Sequence, residues 1–140
     1  MPLRDASGQL WPERFALAAN WLAEQGVRQR VVIHAPEGAY GLDVKGEGRW
    51  QPAWRLDPSD IIGSVGAGDA FCAGVLYATH QGWPMTETLQ LAHTCACFNL
   101  RAANAIDGIQ PLPAMQRWMS QAVCVERIAT PGRTTSAEKT

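Results

Sequence analysis

The segment richest in chemistry is Gly63-Ser64-Val65-Gly66-Ala67-Gly68-Asp69-Ala70-Phe71. Glycines at 66 and 68 let the backbone turn tightly and approach a ligand closely. A run of small residues follows at once and reads as a helix, so the loop feeds directly into a helix N-terminus. The first N–H groups there have no partner within the helix and the dipole is positive, which makes the turn a receptor for an anion. Asp69 falls in that first turn, where a carboxylate is favoured and can accept a proton. Amides that hold a phosphoryl group beside a fixed base are what phosphoryl transfer to a hydroxyl needs. A Walker A loop does not fit, because no Lys follows Gly68. The dinucleotide fingerprint fits poorly, because Phe71 stands where its third glycine belongs. The same residues also describe a plain helix cap after a flexible loop.

These residues need a scaffold. Residues 11–25 read as a helix, with Pro12 in the first turn, Phe15, Ala18, Ala19 and Leu22 at helical spacing, and Gly26 as a stop. Residues 30–35 form a short β-branched run, read as a buried strand. After the turn Pro36-Glu37-Gly38, residues 39–44 and 49–55 read as strands joined through Gly46-Glu47-Gly48, with Trp50 and Trp54 on a half-buried face. The pattern then predicts helices over 69–81, 86–104 and 113–122, the second capped by Thr86 with Glu87 in its first turn. The order implies an α/β class with helices packed on a sheet. Three strands are few for such a domain, which suggests that part of a fold lies elsewhere.

Composition narrows the class. The chain has 140 residues, 46% of them hydrophobic, and 12 basic against 13 acidic side chains for a net charge of -1. That balance argues against a nucleic-acid partner, since a phosphate-tracking surface needs a basic excess. The length suits one domain, here drawn over residues 1–128 with a polar tail at 129–140 expected to be disordered. No apolar run approaches the roughly 20 residues that cross a bilayer, so no membrane partner is expected. Cys72, Cys95, Cys97 and Cys124 form no C-x-x-C pair and read as reduced core thiols of a cytoplasmic protein. On a helix His93 and Cys97 share a face while Cys95 points nearly opposite, so no metal site is expected from them.

The stretch Ser64-Val65-Gly66-Ala67-Gly68-Asp69-Ala70-Phe71, followed by Cys72-Ala73-Gly74-Val75-Leu76, resembles the C-terminal signature of the ribokinase-like (PfkB) family of carbohydrate kinases. Gly26-Val27 with Val31-Val32-Ile33 resembles the family's strand before the nucleotide site, and Glu37-Gly38-Ala39 its following turn. Leu91-Ala92-His93-Thr94-Cys95-Ala96-Cys97 and the later Asp107-Gly108 resemble the helix and loop flanking adenine. The resemblance covers roughly residues 11–120. It implies a ribokinase-like α/β fold, present as its C-terminal, nucleotide-binding portion, and a kinase that uses ATP and Mg²⁺ to phosphorylate a small sugar-like substrate. Asp69 would be the catalytic base. The amides of Gly66, Ala67 and Gly68 would form the anion hole, and Ser64, His93 and Gly108 would lie near the nucleotide. His93 also has a plainer reading, as a packed histidine on an apolar helix.

This sequence departs from the family pattern at several points. Gly63 stands where the family usually has Asp, which puts activation by a monovalent cation in doubt, and Val65 replaces a common Thr. The family's N-terminal half, with most sugar-binding residues, has no counterpart here. Two readings follow: a carbohydrate kinase present as a partial chain, or a non-catalytic nucleotide-binding fragment or subunit that needs a missing N-terminal half.

Overall fold

The computed structural model describes residues 2–126. The tail expected at 129–140 lies outside them. The elements run α1 (Pro12–Glu24), β1 (Arg30–Ala35), β2 (Gly38–Asp43), β3 (Gly48–Pro52), α2 (Ala67–His80), α3 (Met85–Leu100) and α4 (Leu112–Met119), with a 3₁₀ turn at Pro58–Asp60 before α2. Each predicted element is present, β1 with the predicted bounds and the others with shifted ends. Pro12 opens α1, and Gly26, at φ 111°, follows its last turn. Trp54 lies beyond β3, in an isolated bridge to Cys124.

The strands form an antiparallel sheet in the order β1-β2-β3. Alternation along β1 and β2 assigns their two faces. Val31, Ile33, Tyr40 and Leu42 meet Ala19, Leu22 and Ala23 of α1. Val32 and Ala39 meet Phe71 of α2 and Met85, Leu89 and Ala92 of α3. The sheet is therefore covered on both sides, and β1 is an edge. Only Val31 of β1 is buried and His34 is exposed, so the expected fully buried strand is half-buried.

Helices α2 and α3 pack closely because both carry small residues where they cross. A Cβ at Gly74 would stand 2.7 Å from the Ala92 Cα, so the helix axes can approach only with glycine there. Arg30 joins this pair to the sheet. Its Nε donates to Asp43 Oδ1 at 2.7 Å, its Nη1 to the hydroxyls of Thr79 and Thr88, and its Nη2 to the Trp83 carbonyl at 2.8 Å.

Three local expectations need correction. Thr86 does not cap α3. Pro84 occupies the N-cap, and the Thr86 hydroxyl accepts from Arg49 Nη1 instead. Helix α3 stops at Leu100 rather than 104, because the chain folds back over residues 101–108. The four cysteines are free thiols, but Cys72 is exposed and not part of the core.

Candidate functional site

The segment from Ile61 to Gly66 is pinned against the end of α3. The amides of Ile62 and Gly63 both donate to the Leu100 carbonyl, at 2.8 and 3.3 Å. Just upstream, Asp57 caps the 3₁₀ turn by accepting from the Ser59 amide and hydroxyl, which holds its carboxyl below the usual range. Gly66 then adopts the left-handed conformation, φ 83°, as the N-cap of α2. An L side chain at that φ is strained, and a Cβ there would also stand 2.7 Å from the Cβ of Ala105. Glycine thus answers two demands at one position.

Helix α2 begins at Ala67, two residues earlier than predicted, so Gly68 and Asp69 lie inside its first turn. Its first N–H groups point out of the helix. Among the described residues the amides of Gly66, Gly68 and Asp69 have no hydrogen-bond partner, while that of Ala67 reaches only the Ser64 carbonyl, at 3.4 Å. Ala67 is thus the least free of the three expected anion-hole donors, and the Asp69 amide joins Gly66 and Gly68. Asp69 itself is exposed. It lies on the rim of a cavity of about 520 Å³ between α2, α3, residues 105–112 and Met115, with Ala70, Gly74, Leu91 and Cys95 among its apolar walls. Free donors and a solvent-accessible carboxylate side by side can hold an oxyanion and take a proton from a neighbouring hydroxyl.

The remaining predicted residues divide. Ser64 is exposed in the loop and supplies its carbonyl to the turn. Gly108 does not line the cavity. A Cβ there would run into the Phe98 carbonyl, so its part is to let residues 101–108 lie flat on the end of α3. Gly63 likewise packs against backbone, with the Ala102 carbonyl 2.9 Å from where its Cβ would be.

His93 faces away from the cavity beside Asp69. It is 5% exposed, its ring meets Phe71 edge to face, and its Nε2 is 3.2 Å from the Gln51 carbonyl. A carbonyl only accepts, so Nε2 carries the proton. Burial pushes the pKa down to about 4, so the ring is neutral at pH 7. The plainer reading of His93, a packed and satisfied histidine, is the one this placement supports.

Two residues that sequence reasoning did not bring to the site are here. His34, on the α2–α3 side of β1, stacks on Phe71 with centroids 4.3 Å apart, and its Cε1 is 3.7 Å from the Cβ position of Gly68. Partial burial lowers its pKa. Asn99, fully buried, donates from Nδ2 to the Ala105 carbonyl at 2.7 Å. Neither carried a local signal: the run before His34 is apolar on both faces of the strand, and the partner of Asn99 belongs to an irregular segment.

Comparison with known proteins supplies the remaining context. The profile of the pfkB family carbohydrate kinases matches residues 4–112. The pseudouridine kinase of Escherichia coli (strain K12) is 30% identical over 88 residues, covering 63% of this chain and 27% of that protein. The 1-phosphofructokinase of the same strain is 31% identical over 106 residues, covering 74% and 31%. A solved E. coli structure assigned as Ribokinase II, in complex with ATP and Mg²⁺, superposes with TM-score 0.65 at 21% identity, covering 79% of this chain and 34% of that one. Its fold is ribokinase-like. The chain therefore spans about a third of the length of the relatives it matches.

Proposed function

Because this chain belongs to the pfkB family of carbohydrate kinases, we propose that it carries the phosphoryl-transfer part of an ATP-dependent kinase acting on a hydroxyl of a sugar or sugar-like acceptor. The observation that carries this reading is the start of α2, where unpartnered amides of Gly66, Gly68 and Asp69 stand beside the exposed Asp69 carboxylate. In the reaction, Asp69 takes the proton of the attacking hydroxyl. The loop amides receive the charge that develops on the transferred phosphoryl oxygens. Their donors are fixed before the reaction, so no reorganisation is needed when the charge appears. His34 stands beside the same turn, its Cε1 3.7 Å from the Cβ position of Gly68.

Mg²⁺ belongs to the substrate in this reading. The ion is carried on the phosphates of ATP, whose charge it neutralises. Gly63 offers no carboxylate to a monovalent cation, and the Ala102 carbonyl lies 2.9 Å from its Cβ position, so cation activation is no part of the reading.

A second reading has its own observation. A chain that spans 27–31% of its curated relatives has few residues left for an acceptor site, which favours a nucleotide-binding portion that needs a partner segment for catalysis. One pair of measurements separates the two. Mg-ATP at 100 times its dissociation constant is expected to raise the stability of the chain by about 2.7 kcal/mol. If sugar phosphorylation is also detected, Asp69→Asn is expected to lower turnover by about 10²–10⁴-fold with Mg-ATP binding retained. Turnover unchanged in that variant would remove Asp69 from its role. A melt indifferent to Mg-ATP would remove the nucleotide reading itself.

A further inference from the structure

Asn99 stands at the point where three segments meet. It is wholly buried in the last turn of α3. Its Nδ2 donates to the Ala105 carbonyl at 2.7 Å, which folds residues 101–105 back over the helix end. The same Nδ2 is 3.4 Å from the Cβ position of Gly66, and the Ala105 Cβ is 2.7 Å from it. The glycine loop therefore rests on a wall made of Asn99 and Ala105. Three positions earlier, Gly63 runs along Ala102 and Ala103 in the same way. The loop's left-handed turn thus rests on a segment that the Asn99 side chain ties to the end of α3.

The other end of that side chain is unusual. Asn99 Oδ1 is buried and has no hydrogen-bond partner. An orphaned buried acceptor costs stability, and an apolar side chain of the same shape would avoid the cost. Asn at this position is accordingly hard to explain as a packing choice. Its one productive bond is spent on the segment that supports the anion loop.

We infer that Asn99 is a positioning residue for the anion loop, fastening the 101–105 wall that fixes Gly66 in its left-handed turn and so aims the Gly66, Gly68 and Asp69 amides. The inference rests on the proposed nucleotide site. Asn99→Leu keeps the shape, removes the orphan and unties Ala105, whose exposed residue can turn its carbonyl to water.

The test measures Mg-ATP affinity by calorimetry and the melting temperature of the free protein, for the wild type, Asn99→Leu and Leu89→Val. The Leu89 variant is a control that loosens the core far from the loop. Asn99→Leu is expected to melt at or above the wild-type temperature and to bind Mg-ATP at least tenfold more weakly, while Leu89→Val melts lower and binds normally. Affinity within twofold of the wild type in Asn99→Leu would overturn the inference and leave the nucleotide site standing. Amide hydrogen exchange covers the case in which affinity cannot be compared. Faster exchange at Ile62 and Gly63, whose amides are bonded to Leu100, together with 101–108 in Asn99→Leu supports the positioning role even if the wild type binds no Mg-ATP, an outcome that would defeat the nucleotide reading alone. Unchanged exchange at Ile62 and Gly63 would overturn it.

Discussion

The α3-facing side of the sheet and the crest where residues 61–66 meet 101–108 are built from different materials. Beneath the sheet, Phe71, Met85, Leu89 and Ala92 are each at most 4% exposed, and the polar groups nearby are paired, Arg30 through four separate contacts. At the crest, Ile62, Val65 and Ile106 are 66%, 68% and 74% exposed, amides lack partners, and a buried carbonyl oxygen of Asn99 is orphaned. Apolar burial and satisfied hydrogen bonds make one region stable. The other leaves the amides of Gly66, Gly68 and Asp69 without partners among the described residues. If the crest is the recognition site proposed above, substitutions in the two regions should move different observables.

The largest effect on stability is expected in the core. Leu89 is fully buried between β2, α2 and α3. Leu89→Ala removes that packing and leaves a cavity, at a cost of about 2–5 kcal/mol in a denaturant melt. Any Mg-ATP-dependent gain in stability should persist in the fraction that folds. If that gain vanished too, core and crest would be one cooperative unit and the contrast would fail.

The next effect is one of pH. His93 is neutral in the fold, with its pKa near 4 against an ordinary value of 6.5. Between those values the unfolded chain binds a proton that the folded one does not, so stability rises with pH across that window. It is expected to be complete above pH 6.5 and to fall on acidification, by on the order of 3 kcal/mol at pH 4. His93→Gln should flatten the profile. A wild-type melt independent of pH from 6.5 to 4 would show that the ring is not buried as a neutral donor to Gln51.

What the sequence could show follows the same division. The glycine loop, its helix and Asp69 were legible because each signal is local: spacing, small residues and the position of one carboxylate. Strand and helix order was legible for the same reason. The end of α3 was not. Arg-Ala-Ala-Asn-Ala at 101–105 carries good helix formers, and propensity continues the helix to 104; tight backbone turns at Arg101 and Ala102 and side-chain bonds of Asn99 and Asn104 turn the chain instead. The start of α3 misled in a similar way, since Thr86 is a fair cap by type but is claimed by Arg49 from β3. His34 was hidden by its neighbours. Val31-Val32-Ile33 is apolar on both faces because α1 and α2–α3 cover both, so period-two parity could not be read, and its partner Phe71 lies in another element.

The smallest expected change in stability sits at the crest itself, at Gly66. Alanine there would take a left-handed φ, at about 1–2 kcal/mol, and its Cβ would press on Ala105. Ala105 is exposed in an irregular segment, so it can yield, and the clash should relax by moving residues 103–105 rather than by unfolding the core. That relaxation is what matters for recognition. On the proposed reading, a shifted wall changes where the Gly66, Gly68 and Asp69 amides point. Gly66→Ala should therefore melt well above Leu89→Ala and yet show no stabilisation by Mg-ATP. Adding Ala105→Gly should restore part of the affinity by removing the opposing methyl, while the φ strain remains. If Gly66→Ala instead melts as low as Leu89→Ala, the loop is part of the stability core and the two regions are not separable. If it melts high and still responds fully to Mg-ATP, the amides at the start of α2 do not hold the phosphates.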